Sequence, residues 1–288
     1  MPENFSSEEI KKLWPNDAPP ISNIKKYVEK YKDDTIVIKY GGNVLIDREV
    51  FNNFILDIQI LNRLGLSIVV VHGGGPRIER ELKKSNIESK FINGLRVTDQ
   101  NIINVVEKVL IEFNKDIVES LNNKSSGATQ INSKTSSVIN VVPENNELGF
   151  VGVPKRINTE IIKDLIRNNK IPVVAPLGLD EKNQVYNING DTAAGAIAKS
   201  LKSRRLLLMT NVEGVLDKEK KLITEISSVK TLELIKDQTI SGGMIPKINT
   251  CLDAVSNGVR GVVIMDGRKP HSILNEIFSD TGAGTLIR

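Results

Sequence analysis

Cysteine, histidine, aromatic residues and long apolar runs are all scarce in this chain, and each scarcity removes a class of function. Its 288 residues contain one cysteine, Cys251, so no internal disulfide can form. Cys251 lies in an apolar helical stretch and is expected to be a buried, inert thiol in a reducing, intracellular setting. The two histidines, His72 and His271, are too isolated to build a metal site, and His72 reads as a strand-end packing residue. Aromatics make up 4% of the chain, and the net charge is +4 on 39 basic and 35 acidic residues. Such a mixed surface, poor in stacking groups, argues against a nucleic-acid partner. No apolar run approaches the roughly 18 residues that a membrane helix needs. The opening MPENFSSEEIKK has neither a signal-peptide apolar region nor an arginine-rich transit composition, so a cytoplasmic protein without a membrane partner is expected. The motifs GxxxxGK[ST], HRD, CxxC and HExxH are absent, as is any recognisable Ser/His/Asp or Cys/His set.

What the chain does have is a series of short β-branched or aliphatic runs, at residues 35–39, 67–72, 137–142, 171–175, 206–210 and 259–265. They do not alternate strictly, as expected of strands covered on both faces, and helical patterns lie between most of them. Helices are expected at 49–64, 78–84, 101–122, 159–168, 192–201, 244–257 and 272–278, with Asp191 at an N-cap position. The fold class is therefore α/β with a mainly parallel sheet. Residues 1–33 read as a separate arm, because the proline-rich WPNDAPPIS precedes an amphipathic stretch, Ile21 to Tyr31. Its apolar face needs a partner surface, either this chain's own core or another subunit. The polar segment 122–137 reads as a surface hairpin or loop.

Two strands run straight into glycine clusters, TIVIKYGG at residues 35–42 and SIVVVHGGGPR at residues 67–77. Glycines let backbone amides approach an anion, so these junctions, with Gly41 and Gly42 in one and Gly74 and Gly75 in the other, predict anionic groups held at one sheet edge. Lys39 ends the first strand, where its ammonium reaches the same space as the loop amides. Lys247 falls about a turn into a helix that follows Gly242 and Gly243, so it and the helix N-terminus can converge on a phosphoryl group. VYNINGDTAAG offers Asn187, Asn189 and Asp191, and a carboxylate between two lysines would orient both. Arg96, past a glycine turn in NGLRVTD, presents a fork suited to a carboxylate substrate, although an ion pair with Asp99 competes for it. No general base is evident, which fits a kinase whose nucleophile is a carboxylate, already ionised at pH 7.

The motifs KYGG, VHGGGPRIE, NGLRVTD, YNINGDTAAG, TNVEGVLD, GGMIPKINTCLDA and DGRKPHSILNEIFSDTGAGT, in this order, resemble the N-acetylglutamate kinases of the amino acid kinase superfamily from about Thr35 onward. The resemblance implies a three-layer αβα sandwich. It implies an N-terminal lobe, residues 34–178, for N-acetyl-L-glutamate and dimerisation, and a C-terminal lobe, 179–288, for ATP. The implied reaction is phosphorylation of the γ-carboxylate in arginine biosynthesis. By position, Lys39 and Lys247 look like transition-state stabilisers and Asp191 like their organiser. Gly74, Gly75, Arg96, Asn187 and Asn189 look like substrate contacts, and Lys39, Gly41, Gly42, Asn211 and Lys247 like nucleotide contacts. Mg²⁺ is expected to be held mainly by ATP phosphates and water, with no metal ligands from the protein. The KYGG form and the arm resemble the arginine-inhibited, hexameric branch, in which Tyr27, Glu276 and Gly282 match the effector site. Val263 stands where that branch is expected to have histidine, and Gly190 where alanine is usual. A homodimer or hexamer, an arginine effector and a PII-type signalling partner are the implied associations. The alternatives are a related acyl-phosphate or nucleotide kinase, and a non-catalytic subunit of the same fold that senses arginine or nucleotide.

Overall fold

Alternation along the central strands decides which side chains meet which helices. In the computed structural model, which describes residues 7–41 and 47–288, the apolar run at Thr35–Tyr40 forms β1. Ile36, Ile38 and Tyr40 enter one core and Val37 enters another on the opposite face, so Lys39 shares the side of Val37. Each face is covered by helices, giving the expected three layers.

The arm folds as α1 (Ser7–Leu13), a 3₁₀ turn (Ile21–Asn23) and α2 (Ile24–Tyr31). After β1 come α3 (Arg48–Arg63), β2 (Ser67–His72), α4 (Gly75–Lys84), the short β3 (Phe91–Ile92) and β4 (Leu95–Arg96), and α5 (Gln100–Asn122). They are followed by β5 (Ala128–Ile131), β6 (Ile139–Pro143), β7 (Gly152–Ile157), α6 (Thr159–Arg167), β8 (Ile171–Val174), β9 (Leu177–Leu179) and β10 (Val185–Asn187). The remainder is α7 (Gly190–Leu201), β11 (Arg205–Thr210), β12 (Glu225–Ile226), α8 (Ser228–Lys236), α9 (Met244–Ser256), β13 (Val262–Asp266), α10 (Ser272–Phe278) and β14 (Gly284–Ile287).

Eight strands form one sheet in the order β12-β14-β13-β11-β1-β2-β8-β5, parallel except where β14 runs against β13. From β1 the chain first builds outward through β2 and later, from β11, in the other direction. The crevice beyond the carboxyl ends of β1, β2 and β11 is therefore a topological switch point, where ligands bind in open α/β sheets. Segment 122–137, expected to be a surface hairpin or loop, contains β5, which pairs in parallel with β8 at the sheet edge. A strand of four residues carries too little period to stand out among polar neighbours. The predicted strand at 137–142 lies in a second sheet, ordered β10-β9-β6-β7, beside the cleft.

The arm packs on its own chain. Ile24, Tyr27 and Tyr31 join the core that includes Phe54, Phe278 and Ile36, and Trp14 lies against Phe278 with ring centroids 5.5 Å apart. His271, at the start of α10, has Nδ1 2.6 Å from Oδ1 of the buried Asp57 on α3, and Nε2 3.7 Å from Asp17 of the arm segment. Burial pushes the Asp57 carboxyl up to about 6, against its hydrogen bond with His271. Burial would lower His271, but its bond to Asp57 raises it above the ordinary imidazole value. Both folded values lie above unfolded ones of about 3.9 and 6.5. The pair's contribution is thus full below the unfolded carboxylate value and lost as pH rises through 6 and beyond the histidine. The melting-temperature deficit of the double variant Asp57→Asn, His271→Asn relative to the unsubstituted chain should accordingly shrink between pH 5.5 and pH 8.5. A deficit independent of pH would contradict this reading.

Candidate active site

Lys39, Asp191 and Lys247 come from three different elements and meet at the switch point. Asp191 Oδ1 lies 2.8 Å from Lys39 Nζ without an aligned hydrogen bond, and Oδ2 accepts one from Lys247 Nζ. Their side chains keep only 10%, 15% and 15% of their surface for Lys39, Asp191 and Lys247. Burial alone would raise the Asp191 carboxyl. The two ammonium groups outweigh it and hold the carboxyl well below the usual carboxylate range.

The local sequence explains why this meeting is feasible. Asn189, not Asp191, is the N-cap of α7: its Oδ1 accepts from the backbone of Asp191 at 2.9 Å and of Thr192 at 3.2 Å. The expected cap at Asp191 is thus shifted by two residues, since either side chain suits a cap and the helix begins earlier, at Gly190. The shift leaves both Asp191 oxygens for the lysines. The small residues of α7 allow α9 to come close, for a Cβ at Gly195 would lie 2.9 Å from Thr250 Cγ2. Lys39 folds back over Gly41, where a Cβ would fall 2.2 Å from Nζ and displace the ammonium from Asp191.

A cavity of about 230 Å³ opens beside this bridge, lined by Lys39, Gly74, Gly75, Arg96, Asn187, Asn189 and Asp191. The expected substrate contacts are thus brought together. Arg96 is buried, but not by Asp99, whose carboxylate caps α5. Its Nη1 donates to Glu79 Oε2 at 2.9 Å and to Ser89 Oγ, and its guanidinium stacks 4.7 Å from the centre of the Phe91 ring. The Arg96 bond, with one from Ser89, lowers Glu79 below its ordinary value. Glu79 and Ser89 were not foreseen as partners. The only signal was the carboxylate in VHGGGPRIE, whose helical position needed the α4 start at Gly75 to be interpreted.

Asn211 is exposed just past β11 at the same sheet edge, whereas Gly42 lies outside the described residues. Glu276 and Gly282 line a separate cavity of about 230 Å³ with Lys30, Tyr31 and Arg205. Tyr27 packs edge-on against Phe278 and does not line it, while Val263 is fully buried in β13. Cys251 is buried, which pushes its thiol upward and keeps it protonated, and His72 is fully buried as well. Among the described residues no cluster of His, Cys, Asp or Glu is arranged to hold a metal ion, and no helix is long and apolar enough to cross a membrane.

Two lysines sharing one aspartate beside glycine amides, at the switch point of an αβα sandwich, make a cleft suited to anionic ligands. The chain belongs to the amino acid kinase family, whose model matches residues 34–266. It is 57% identical over 285 residues to an acetylglutamate kinase of Pelagibacter ubique (strain HTCC1062), covering 99% of each chain. Among solved structures it resembles an N-acetylglutamate synthase from Neisseria gonorrhoeae complexed with coenzyme A and N-acetyl-glutamate. There the TM-score is 0.83 at 20% identity, and the match covers 98% of this chain but only 63% of the other. It also resembles carbamate kinase from Giardia lamblia bound to AMP-PNP, with a TM-score of 0.65 at 18% identity, covering 89% and 99% of the two chains. These likenesses of low identity show the fold.

Proposed function

We propose that this chain catalyses ATP-dependent phosphorylation of the γ-carboxylate of N-acetyl-L-glutamate, yielding N-acetyl-L-glutamyl 5-phosphate for arginine biosynthesis. The full-length identity of 57% to an acetylglutamate kinase carries the reading, and the cleft supports it. A γ-carboxylate oxygen attacks the γ-phosphorus, the bond from that phosphorus to the β,γ-bridging oxygen breaks, and ADP leaves with the electron pair. The nucleophile is already ionised, so no base is required. Gly74 and Gly75 amides and the Arg96 fork hold the acid, with Asn187 and Asn189 beside them. Lys39 and Lys247 face the charge on the transferring group, and Asp191 keeps the two ammonium groups at working separation. Gly41 is assigned to the phosphates and Asn211 to the nucleotide. Both Asp191 oxygens face ammonium groups, so the carboxylate serves the lysines rather than a metal, in keeping with Mg²⁺ held by phosphates and water.

In this reading residues 34–178 receive the acid and 179–288 the nucleotide, in a cytoplasmic enzyme that assembles as a homodimer or hexamer. The half-buried Glu276 carboxyl, which shares its cavity with Lys30, Arg205 and Arg288, is what supports an arginine effector there, since a carboxylate suits a guanidinium or ammonium group.

Measuring ADP release across N-acetyl-L-glutamate, N-acetyl-L-aminoadipate, uridylate and carbamate tests the assignment. Turnover with N-acetyl-L-glutamate alone is expected, and none with that acid would overturn it. Arg96→Lys should raise the KM for the acid about 10- to 100-fold with a smaller change in kcat, because a point charge replaces a planar fork. An unchanged KM would remove Arg96 from the substrate site.

A further inference from the structure

The buried side chains of His72, Asn114 and Asn132 form a polar chain behind the second glycine loop. Asn114 on α5 has Nδ2 2.9 Å from the Val173 carbonyl oxygen and 3.1 Å from His72 Nε2. Its Oδ1 accepts from Asn132 Nδ2 at 3.3 Å. His72 Nδ1 lies 2.9 Å from the Gly73 carbonyl oxygen.

The chemistry fixes every proton along this chain. A backbone carbonyl only accepts, so the Asn114 atom beside Val173 must be its amide nitrogen. That nitrogen spends its second hydrogen on His72 Nε2, which must then present a lone pair. The one ring proton of the neutral imidazole therefore sits on Nδ1, aimed at the Gly73 carbonyl, again a pure acceptor. Burial, against the Gly73 bond and together with Arg77, pushes the imidazole down to about 4, so it remains neutral at physiological pH.

The consequence follows from peptide planarity. The carbonyl of Gly73 and the N–H of Gly74 belong to one trans peptide and point in opposite directions. The Gly73 N–H is itself tied to the Tyr40 carbonyl of β1 at 2.7 Å. Drawing the Gly73 carbonyl toward the interior turns the Gly74 N–H outward, and Gly74 lines the cleft. Leu110 packs closely over Gly74, so a Cβ there would fall 2.4 Å from Leu110 Cδ2 and any larger residue would push the loop or that side chain aside.

We propose that His72 and Asn114 are positioning residues for substrate binding: Asn114 selects the Nδ1–H tautomer of His72, which holds the Gly73 carbonyl and so aims the Gly74 amide at the acid's carboxylate. This rests on the assignment of Gly74 to the acid site above. Because the chain has only two histidines, long-range ¹⁵N–¹H correlation resolves each imidazole without ambiguity of crowding. His72 is expected to show the neutral Nδ1–H pattern from pH 6 to pH 8, and the Gly74 amide resonance to move when N-acetyl-L-glutamate is added. Asn114→Asp, nearly isosteric, presents an acceptor to Nε2 and should switch His72 to an Nε2-protonated pattern. It should raise the KM for N-acetyl-L-glutamate about tenfold, with the KM for ATP changed less than about threefold. His72→Asn, whose amide nitrogen occupies roughly the Nδ1 position, should raise that KM less than His72→Gln, whose amide reaches the Nε2 position instead.

An Nε2–H tautomer in the unsubstituted enzyme, or a switched tautomer with an unchanged KM, overturns the proposal while leaving the acid site intact. A Gly74 amide indifferent to N-acetyl-L-glutamate overturns the acid-site assignment and the proposal with it. Should Asn114→Asp fail to fold, the tautomer of the unsubstituted enzyme and the comparison of His72→Asn with His72→Gln still test the proposal.

Discussion

Lys247→Ala should lower kcat by about 10²- to 10³-fold while the KM for N-acetyl-L-glutamate changes little. A positioned donor aimed at charge that develops only in the transition state contributes on that scale, and its removal leaves ground-state contacts in place. The structure adds a second loss. In the intact site Asp191 divides itself between two ammonium groups. Without Lys247, Lys39 would become the sole cation paired with a buried carboxylate, and a tighter pair would draw its ammonium away from the phosphoryl group. Lys247→Arg retains the charge but not its compact shape, so partial recovery is expected. Steady-state kinetics in both substrates, with melting curves to establish folding, check the result. A rise in KM at constant kcat would place Lys247 in ground-state binding only.

Asp191→Asn should be at least as damaging, because it keeps the shape of the side chain and removes the charge that permits two ammonium groups to share one space. At a separation of about 4 Å and an effective dielectric of about 20, each unit-charge interaction is on the order of 4 kcal/mol. The variant converts two attractions into one uncompensated repulsion, which should splay Lys39 and Lys247 and reduce kcat by about 10³-fold or more. The stability effect has a definite sign. The folded carboxyl is held below its unfolded value of about 3.9, so its contribution is present above that value and is lost as pH falls toward the folded one. The stability gap between the unsubstituted chain and Asp191→Asn should therefore be widest near pH 7 and close progressively below pH 4. Denaturant unfolding at several pH values measures it, and a gap that widens in acid would refute the charge argument.

The three charged residues were legible in the sequence because each carries its context locally: Lys39 beside Gly41, Lys247 after Gly242 and Gly243, and Asp191 in a run of small residues. The main strands and most helices were legible for the same reason, since six-residue apolar runs and periodic helical faces are local patterns. What escaped was set by tertiary pairing. Segment 122–137 holds β5 only because β8 lies beside it. Helix α8 went unread because Val229 and Leu232 are exposed, at 70% and 60%, which blurs its period. Glu79 becomes the partner of Arg96 only when α4 is laid along the hairpin of β3 and β4. The choice of Asn189 over Asp191 as cap depends on a helix start that propensity does not fix to two residues.

The strand that carries Lys39 also governs how the chain can be assembled. β1 lies between β2, its neighbour in sequence, and β11, with Ile36 opposite Arg205 and Lys39 opposite Leu208. One side of β1 can zip early, but the other must wait for a segment far along the chain, at the loop-closure entropy that slows nonlocal sheets. Until then β1 presents a bare, apolar hydrogen-bonding edge, the kind of surface that templates association between chains. A fragment ending before β11 would keep that edge permanently, so expressing the first half alone invites aggregation at the very strand that holds Lys39.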